Sequence, residues 1–156
     1  MAKNLLVAFD DSENAMRAVE FVANYFSSDN SVTLFNVIPD TAALCEMNSP
    51  ELTPYFTAQQ DSFCILEEKK KELVRNAQQK ATQILTDAGF EEKNITIKTE
   101  VKKNGIARDI VKEAQSGYDA IVLGRRGLSG IKEFILGSVS QKVFNLAKDI
   151  SVVVVN

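Results

Sequence analysis

Short uninterrupted apolar runs alternate along this chain with longer segments in which apolar residues recur every three or four positions. Runs of the first kind are typical of strands buried on both faces of a sheet, and segments of the second kind are typical of amphipathic helices. The pattern predicts five strands and four helices in alternation. The predicted strands are 5–9, 31–38, 94–101, 118–123 and 150–155, and the predicted helices start at Ser12 and span 58–88, 105–114 and 134–147.

This alternation predicts a parallel sheet, because a crossover helix connects two strands that run in the same direction. Right-handed crossovers leave few topologies, and we expect one doubly wound α/β domain over residues 1–156, with strand order 3-2-1-4-5 and helices on both faces. The polar alternation within 94–101 predicts a strand near the sheet edge. In such a sheet, ligands bind outside the carboxyl ends of the strands where the connections change direction, here between strands 1 and 4.

The composition excludes several classes of site. The chain has 18 Lys and Arg residues, 21 Asp and Glu residues and a formal charge of -3, so we expect no nucleic-acid partner. It has no histidine, which excludes Ser-His-Asp, Cys-His and His-zinc sites, and we expect no metal centre. The first apolar run is too short for a signal peptide or a membrane span, so a cytoplasmic location without a membrane partner is expected.

Three features of the middle of the chain have no assigned chemistry. Cys45 and Cys64 are too few for a disulfide framework and match no thiol redox spacing, so we expect reduced thiols. Residues 39–57 contain all three prolines and predict a long connection that serves as a lid or a partner surface or, as the pattern favours, packs locally. The charged run 67–72 mixes signs on a helix and predicts a solvated face without function.

Four of the seven glycines fall in the loop and helix that follow the fourth strand. Glycine lets backbone N–H groups wrap closely around an anion, and two nearby serines add hydroxyls that donate to phosphate oxygens. A turn rich in glycine, with one glycine for close helix packing, is the other reading of the same residues. Neither a Walker P-loop nor a dinucleotide fingerprint is present, because no Gly-Lys-Ser/Thr follows and residues 10–14 contain no glycine. The glycines are Gly124, Gly127, Gly130 and Gly137, and the serines are Ser138 and Ser140.

The pattern Gly-x2-Gly-x9-Gly-Ser over residues 124–138 resembles the nucleotide-binding signature of the universal stress protein family, in its ATP-binding branch. The resemblance extends over nearly the whole chain. Residues 9–15, 35–38 and 118–124 are similar to the family's first, second and fourth strands and the turns that follow them. The glycine and serine signature is the selective part of this likeness.

The resemblance implies roles for individual residues. Asp10 would face the nucleoside, the main chain of Val37 would meet the adenine edge, and the glycines and serines would hold the phosphates. Capping of the following helix is an equally open role for Asp10. The family often has a small residue or histidine where this chain has Arg125 and Arg126, so phosphate pairing and a solvated loop charge both stay open for these arginines. The expected nucleotide-binding residues are Asp10, Val37, Gly124, Arg125, Gly127, Gly137, Ser138, Val139 and Ser140, and no catalytic residue is expected.

The resemblance implies an ATP-binding regulatory module of the stress response that takes ATP with or without Mg²⁺ and hydrolyses it slowly at most. Two alternatives are a dimeric interaction protein of the same fold that binds no nucleotide, and an adenine-nucleotide-dependent transferase. Such transferases usually carry paired glycines in the first loop, and this chain has none there. The flat apolar strand Val152 to Val155 predicts a homodimer that pairs through this edge, unless a helix or the C-terminus covers it.

Overall fold

The computed structural model describes residues 1–41, 45, 54–125 and 136–156. A parallel sheet forms its centre, with the order β3-β2-β1-β4-β5. This confirms the predicted sheet and strand order, including the edge position of β3. The strands are β1 (Asn4–Ala8), β2 (Ser31–Ile38), β3 (Ile95–Val101), β4 (Ala120–Gly124) and β5 (Ser151–Val155).

Helices cover both faces of this sheet, as expected. One apolar cluster joins the sheet to α1 and α2, and a second joins the opposite face to α3 and α4. Within the described ranges no helix combines the length and apolarity needed to cross a membrane. The helices are α1 (Glu13–Tyr25), α2 (Pro54–Asp87), α3 (Ile106–Ala114) and α4 (Ser138–Leu146), with a short 3-10 helix at Glu92–Asn94.

Strand β1 shows why the apolar runs are uninterrupted. Leu5 and Val7 belong to the cluster under α1 and α2, whereas Leu6 belongs to the cluster under α3 and α4. All three are at most 1% exposed. Successive side chains of a strand point to opposite faces, so a strand covered on both faces needs apolar residues at every position.

Two helices begin several residues away from their predicted starts. Helix α2 begins at Pro54 rather than at residue 58, so the end of the predicted connection 39–57 is helical. Proline fits the first turn of a helix because its missing N–H group has no partner there in any case. Helix α4 begins at Ser138, and the extended Gly137 (φ -59°, ψ 159°) is its N-cap. Within the predicted helix 134–147, residues 134 and 135 lie outside the described residues.

The expectation of free thiols is wrong, because Cys45 and Cys64 form a disulfide. Their Cα atoms are 5.8 Å apart, within the usual range for such a bond. One turn further along α2, Glu67 Oε2 accepts a hydrogen bond of 3.2 Å from Thr41 Oγ1. Helix α2 thus runs back beside the chain that leaves β2, and the spacing of the cysteines in the sequence carries no sign of this return.

Candidate functional site

A cleft of about 650 Å³ opens at the carboxyl ends of β1, β2 and β4. Its volume lies in the range of sites for small molecules. The turn after β1, the ends of β2 and β3, the first turns of α3 and α4 and one side of α2 form its walls. The cleft therefore lies at the edge of the sheet where the topology predicts a ligand.

Most of the predicted binding residues meet in this cleft. Gly127 lies outside the described residues, as does Arg126. Arg125 does not line the cleft, because its Nη1 donates to Asn156 Oδ1 at 3.0 Å at the end of the neighbouring strand. The predicted residues that line the cleft are Asp10, Val37, Gly124, Gly137, Ser138, Val139 and Ser140.

Asp10 fixes the turn that leads into α1. Its Oδ1 accepts a hydrogen bond of 2.8 Å from the Ser12 backbone N–H. Ser12 is the N-cap of α1, and its Oγ accepts from the Ala15 N–H at 3.2 Å. Ser12 therefore caps α1, and Asp10 holds the turn that precedes the cap. Asp10 Oδ2 accepts no hydrogen bond from the described part of the chain, and the exposed carboxylate stays available to a ligand in the cleft.

Val37 presents its backbone to the cleft. The hydrogen bonds between β1 and β2 end with Phe9 N–H, which donates to Phe35 O at 2.8 Å. On the other side of β2, Ile38 O accepts from Lys102 N–H at 2.7 Å. Backbone polar groups of a strand alternate between its two neighbours, so those of Val37 point toward β1, beyond its last pairing. The described residues give them no partner there.

Gly124 acts through close packing against α1. A Cβ at this position would stand 2.6 Å from the Asn14 carbonyl carbon and 2.7 Å from Asn14 Cβ, and closer still to the Asn14 oxygen. The carbonyl oxygen of Gly124 accepts from Ser140 Oγ at 3.1 Å. Ser140, whose hydroxyl was expected to donate to a phosphate, thus links α4 to β4 instead. Its only hydroxyl hydrogen is used in this bond, so the buried oxygen can accept a further hydrogen bond but cannot donate one.

Three helices, α1, α3 and α4, begin at the cleft, and their first turns differ in charge. The first turn of α1 contains Glu13 and is capped by Ser12. In α3, Asp109 accepts hydrogen bonds from the Lys103 and Asn104 N–H groups at 2.8 and 3.1 Å, and the bond from Lys103 is the main cause that lowers the pKa of this carboxyl. The first turn of α4 has neither an acidic residue nor a side-chain cap. Its N–H groups and the positive end of its dipole favour an anion there.

Helix α2 supplies a wall that the sequence did not reveal. The run 67–72 is exposed from Glu68 onward, as expected of a solvated face, but Glu67, Lys70 and Lys71 also line the cleft. The length of the helix is the feature that could have indicated this wall. Its 34 residues extend about 51 Å, whereas the longest strand has eight residues and extends about 26 Å. Such a helix must project past the carboxyl edge of the sheet. The other α2 residues at the cleft are Val74, Arg75 and Gln78.

Apolar side chains form the remaining walls and leave few places for a metal. They would enclose a flat ring between the ends of the strands and α3. Within the residues that the structure describes, no group of three acidic or cysteine side chains is placed to hold a metal ion. The apolar lining residues outside α2 include Val101, Ile106, Ile110 and Leu123.

The model of the universal stress protein family matches residues 1–156. The chain belongs to the universal stress protein family. It is 38% identical over 153 residues to the universal stress protein YxiE of Bacillus subtilis, with 94% of this chain and 95% of that protein covered. A universal stress protein of Mycolicibacterium smegmatis is 28% identical over 151 residues, which are 96% of this chain but only 47% of that relative.

Solved structures of universal stress proteins share this fold. One of them, a universal stress protein in complex with cAMP, has a TM-score of 0.62 and 18% identity, and the alignment covers 99% of this chain and 97% of that one. At this identity the likeness concerns the fold. Nucleotide binding therefore occurs among proteins with this architecture.

Proposed function

We propose that this protein is an ATP-binding universal stress protein, a nucleotide-dependent regulatory module of the stress response that hydrolyses ATP slowly at most. One observation carries the proposal: the N-terminus of α4, which has no side-chain cap, and the backbone of Val37, which has no partner among the described residues, line the same cleft. The first is suited to phosphate and the second to the edge of a base.

The phosphate end of the proposed site is the first turn of α4. Gly137 is buried and extended, and Ser138 presents an exposed hydroxyl directly after it. The acidic residues in the first turns of α1 and α3 make those helix starts less favourable for a polyphosphate. Gly127, outside the described residues, is assigned to the phosphates by its place in the family signature.

The base end of the proposed site is the gap between β1 and β2. The N–H and C=O groups of Val37 offer one donor and one acceptor, which match the acceptor and donor on the edge of adenine. Asp10 faces the nucleoside from the other side of this gap. Specificity for adenine would thus depend on main-chain atoms that substitution of a side chain does not remove.

Slow hydrolysis is part of the proposal because the chain lacks the usual general base. It contains no histidine, and the carboxylates at the cleft belong to the exposed segments that follow β1 and β2 and to α2. Mg²⁺ binds readily to phosphate oxygens, so the nucleotide itself would bring the ion into the cleft. The ion would neutralise phosphate charge in the cleft.

The proposal also includes a cytoplasmic homodimer. Strand β5 is at one end of the sheet, and Val152, Val153 and Val154 are half-buried without a further strand beside them among the described residues. On the helix that precedes β5, Phe144 is 60% exposed. An unpaired apolar edge of this kind favours pairing with a second copy.

Calorimetric titration of nucleotide-stripped protein with ATP and Mg²⁺ tests the proposal. We expect a micromolar Kd, which corresponds to about -8 kcal/mol. Titration with cAMP and adenosine separates the contribution of the phosphates from that of the base. Absence of binding at millimolar ATP would contradict the proposal and favour an interaction protein of the same fold.

Ser138 offers a variant that separates phosphate binding from folding. In Ser138→Asp the carboxylate interacts favourably with the helix dipole, so the fold should be retained, but it repels phosphate. We expect the Kd for ATP to rise at least about 100-fold, while adenosine binds as before. Ser116→Ala, an exposed serine after α3 and away from the cleft, is the matched control. Equal ATP affinity of Ser138→Asp and the unmodified protein would exclude α4 as the phosphate site.

A further inference from the structure

The first half of α2 has little packing to hold it in place. No side chain between residues 57 and 73 is fully buried, and Phe63, Leu66 and Leu73 are 37, 63 and 55% exposed. Among the α2 side chains that the structure describes, buried positions at helical spacing begin at Val74 and continue with Gln78, Ala81 and Leu85. Ala81 and Leu85 belong to the apolar cluster that also contains α1. A helical segment with so few buried contacts opens locally at low free energy.

The disulfide lies within this weakly packed half. It joins Cys64 to Cys45, and the neighbouring hydrogen bond joins Glu67 to Thr41. Both links connect α2 to the chain that leaves β2, and Thr41 and Glu67 line the cleft themselves. The bond between the two sulfurs is therefore a covalent anchor for one wall of the cleft.

We infer that the Cys45–Cys64 disulfide is a reversible redox site that sets the order of the α2 wall, and with it the affinity of the cleft for its ligand. Cys45 is exposed and Cys64 half-buried, so an external thiol reaches the bond. Disulfides in a reducing compartment are usually transient or redox-sensing. The inferred change in ligand affinity rests on the proposed nucleotide function, whereas the change in the order of the wall does not.

A dithiol reductant supplies the two electrons. One of its thiolates attacks Cys45 Sγ, the bond between the two sulfurs breaks, and Cys64 leaves as a thiolate that takes a proton from water. The second thiol of the reductant attacks the mixed disulfide and releases Cys45 as a thiol. The reductant becomes a disulfide, and an oxidised dithiol reverses the reaction.

Reduction removes the covalent link between α2 and the chain that follows β2. The hydrogen bond between Thr41 and Glu67, close to the former disulfide, still connects the two segments. One part-buried hydrogen bond contributes little against the conformational entropy of a free helix end. A ligand that needs the α2 wall must order it again on binding, so the reduced protein binds more weakly. By reciprocity, a bound ligand favours the oxidised form.

Hydrogen exchange of ligand-free protein tests the structural part, and alkylation with mass analysis first verifies that the oxidised protein holds the disulfide. We expect amides of residues 62–72 to exchange at least about 10-fold faster after reduction, and Cys45→Ser and Cys64→Ser to match the reduced protein with or without reductant. Ser62→Ala, on the same turn of α2, retains the disulfide and should match the oxidised protein. Failure of the disulfide to form, or equal exchange in both forms, would overturn the inference.

Titration of both forms with ATP tests the coupling. We expect the Kd to be at least about 10-fold higher for the reduced protein and for both cysteine variants. A change in exchange without a change in Kd would overturn the coupling. If neither form binds ATP, the proposed function fails, and the exchange data alone decide whether the disulfide orders the wall.

Discussion

The Cα of Gly124 lies directly against the backbone of Asn14, where the end of β4 meets the first turn of α1. No side chain fits between them, because even a Cβ would overlap the Asn14 carbonyl group. This approach brings the turn at Asp10 next to the start of α4. The first glycine of the family signature is thus needed for packing, and it lines the cleft together with Gly137 and Ser138.

Gly124→Ala should destabilise the protein by about 3 kcal/mol, since the backbone of α1 must move to admit the methyl group. Urea denaturation measures this loss. The matched control is Gly117→Ala, where a Cβ meets nothing within 4 Å but φ is +102°. We expect only about 1 kcal/mol there, from the left-handed backbone. Equal losses for both variants would show that α1 yields easily at Asn14.

The backbone of Val37 predicts selectivity for adenine. Guanine presents an oxygen where adenine presents an amino group, so a mismatched main-chain pair leaves polar groups unsatisfied in the cleft. We expect GTP to bind at least about 10-fold more weakly than ATP, the equivalent of about 1.4 kcal/mol. Competition between the two nucleotides in one titration measures the ratio. Equal affinity would exclude main-chain recognition of the base at Val37.

The register of β5 predicts which proline substitution breaks the dimer. Val155 O accepts from Arg125 N–H at 2.6 Å, so the backbone polar groups of Val155 and Val153 face β4 and those of Val154 face the open edge. Val154→Pro should give a monomer in light scattering and retain the fold, because an edge strand tolerates proline where its N–H faces outward. Val153→Pro removes a hydrogen bond to β4 and should lower the unfolding midpoint instead. A protein that is already monomeric at all concentrations would contradict the proposed dimer.

The hydrogen bonds of Asp109 lead us to expect that part of the free energy of unfolding is lost in acid. Hydrogen bonds from the Lys103 and Asn104 N–H groups lower the pKa of its carboxyl in the folded protein. The stabilisation is therefore complete above the unfolded pKa of about 3.9 and is lost as the pH falls through the folded value.

The variant Asp109→Asn should lose about 1 to 3 kcal/mol at pH 7 and show a shallower decline of stability toward low pH. Urea denaturation between pH 7 and pH 2 measures both effects. Asp29→Asn, at an exposed aspartate, is the matched control. If Asp109→Asn has the same pH profile as the unmodified protein, these hydrogen bonds are equally strong to the charged and to the protonated carboxyl of Asp109, which would contradict the prediction.

The sequence was sufficient to predict the strand order and most of the cleft. Both follow from local signals: apolar runs mark buried strands, the crossover rule restricts their order, and the carboxyl ends of the strands meet at one edge. For this reason Asp10, Val37 and Gly137 all line the cleft. Asp10 and Val37 lie within two residues of the end of a strand and Gly137 is the N-cap of a helix, and these positions depend on little else.

What the sequence did not reveal depends on how distant segments pack. The return of α2 beside Thr41 brings Cys64 to Cys45 and turns Lys70 and Lys71 toward the cleft, and no local pattern reports the direction of a long helix. The bond from Ser140 to the Gly124 carbonyl likewise joins residues 16 positions apart. Arg125 was assigned to the ligand by its place in a motif, yet its side chain binds Asn156.

The charge difference among the three helix starts has a consequence for experimental practice. The first turns of α1 and α3 each contain an acidic side chain, which offsets the positive end of the helix dipole. The first turn of α4 contains none. Inorganic phosphate or sulfate in a buffer would therefore compete with a nucleotide for one anion-binding site per chain, at the N-terminus of α4. Apparent affinities should fall as either anion is added and recover in chloride at the same ionic strength, with a stoichiometry of one throughout.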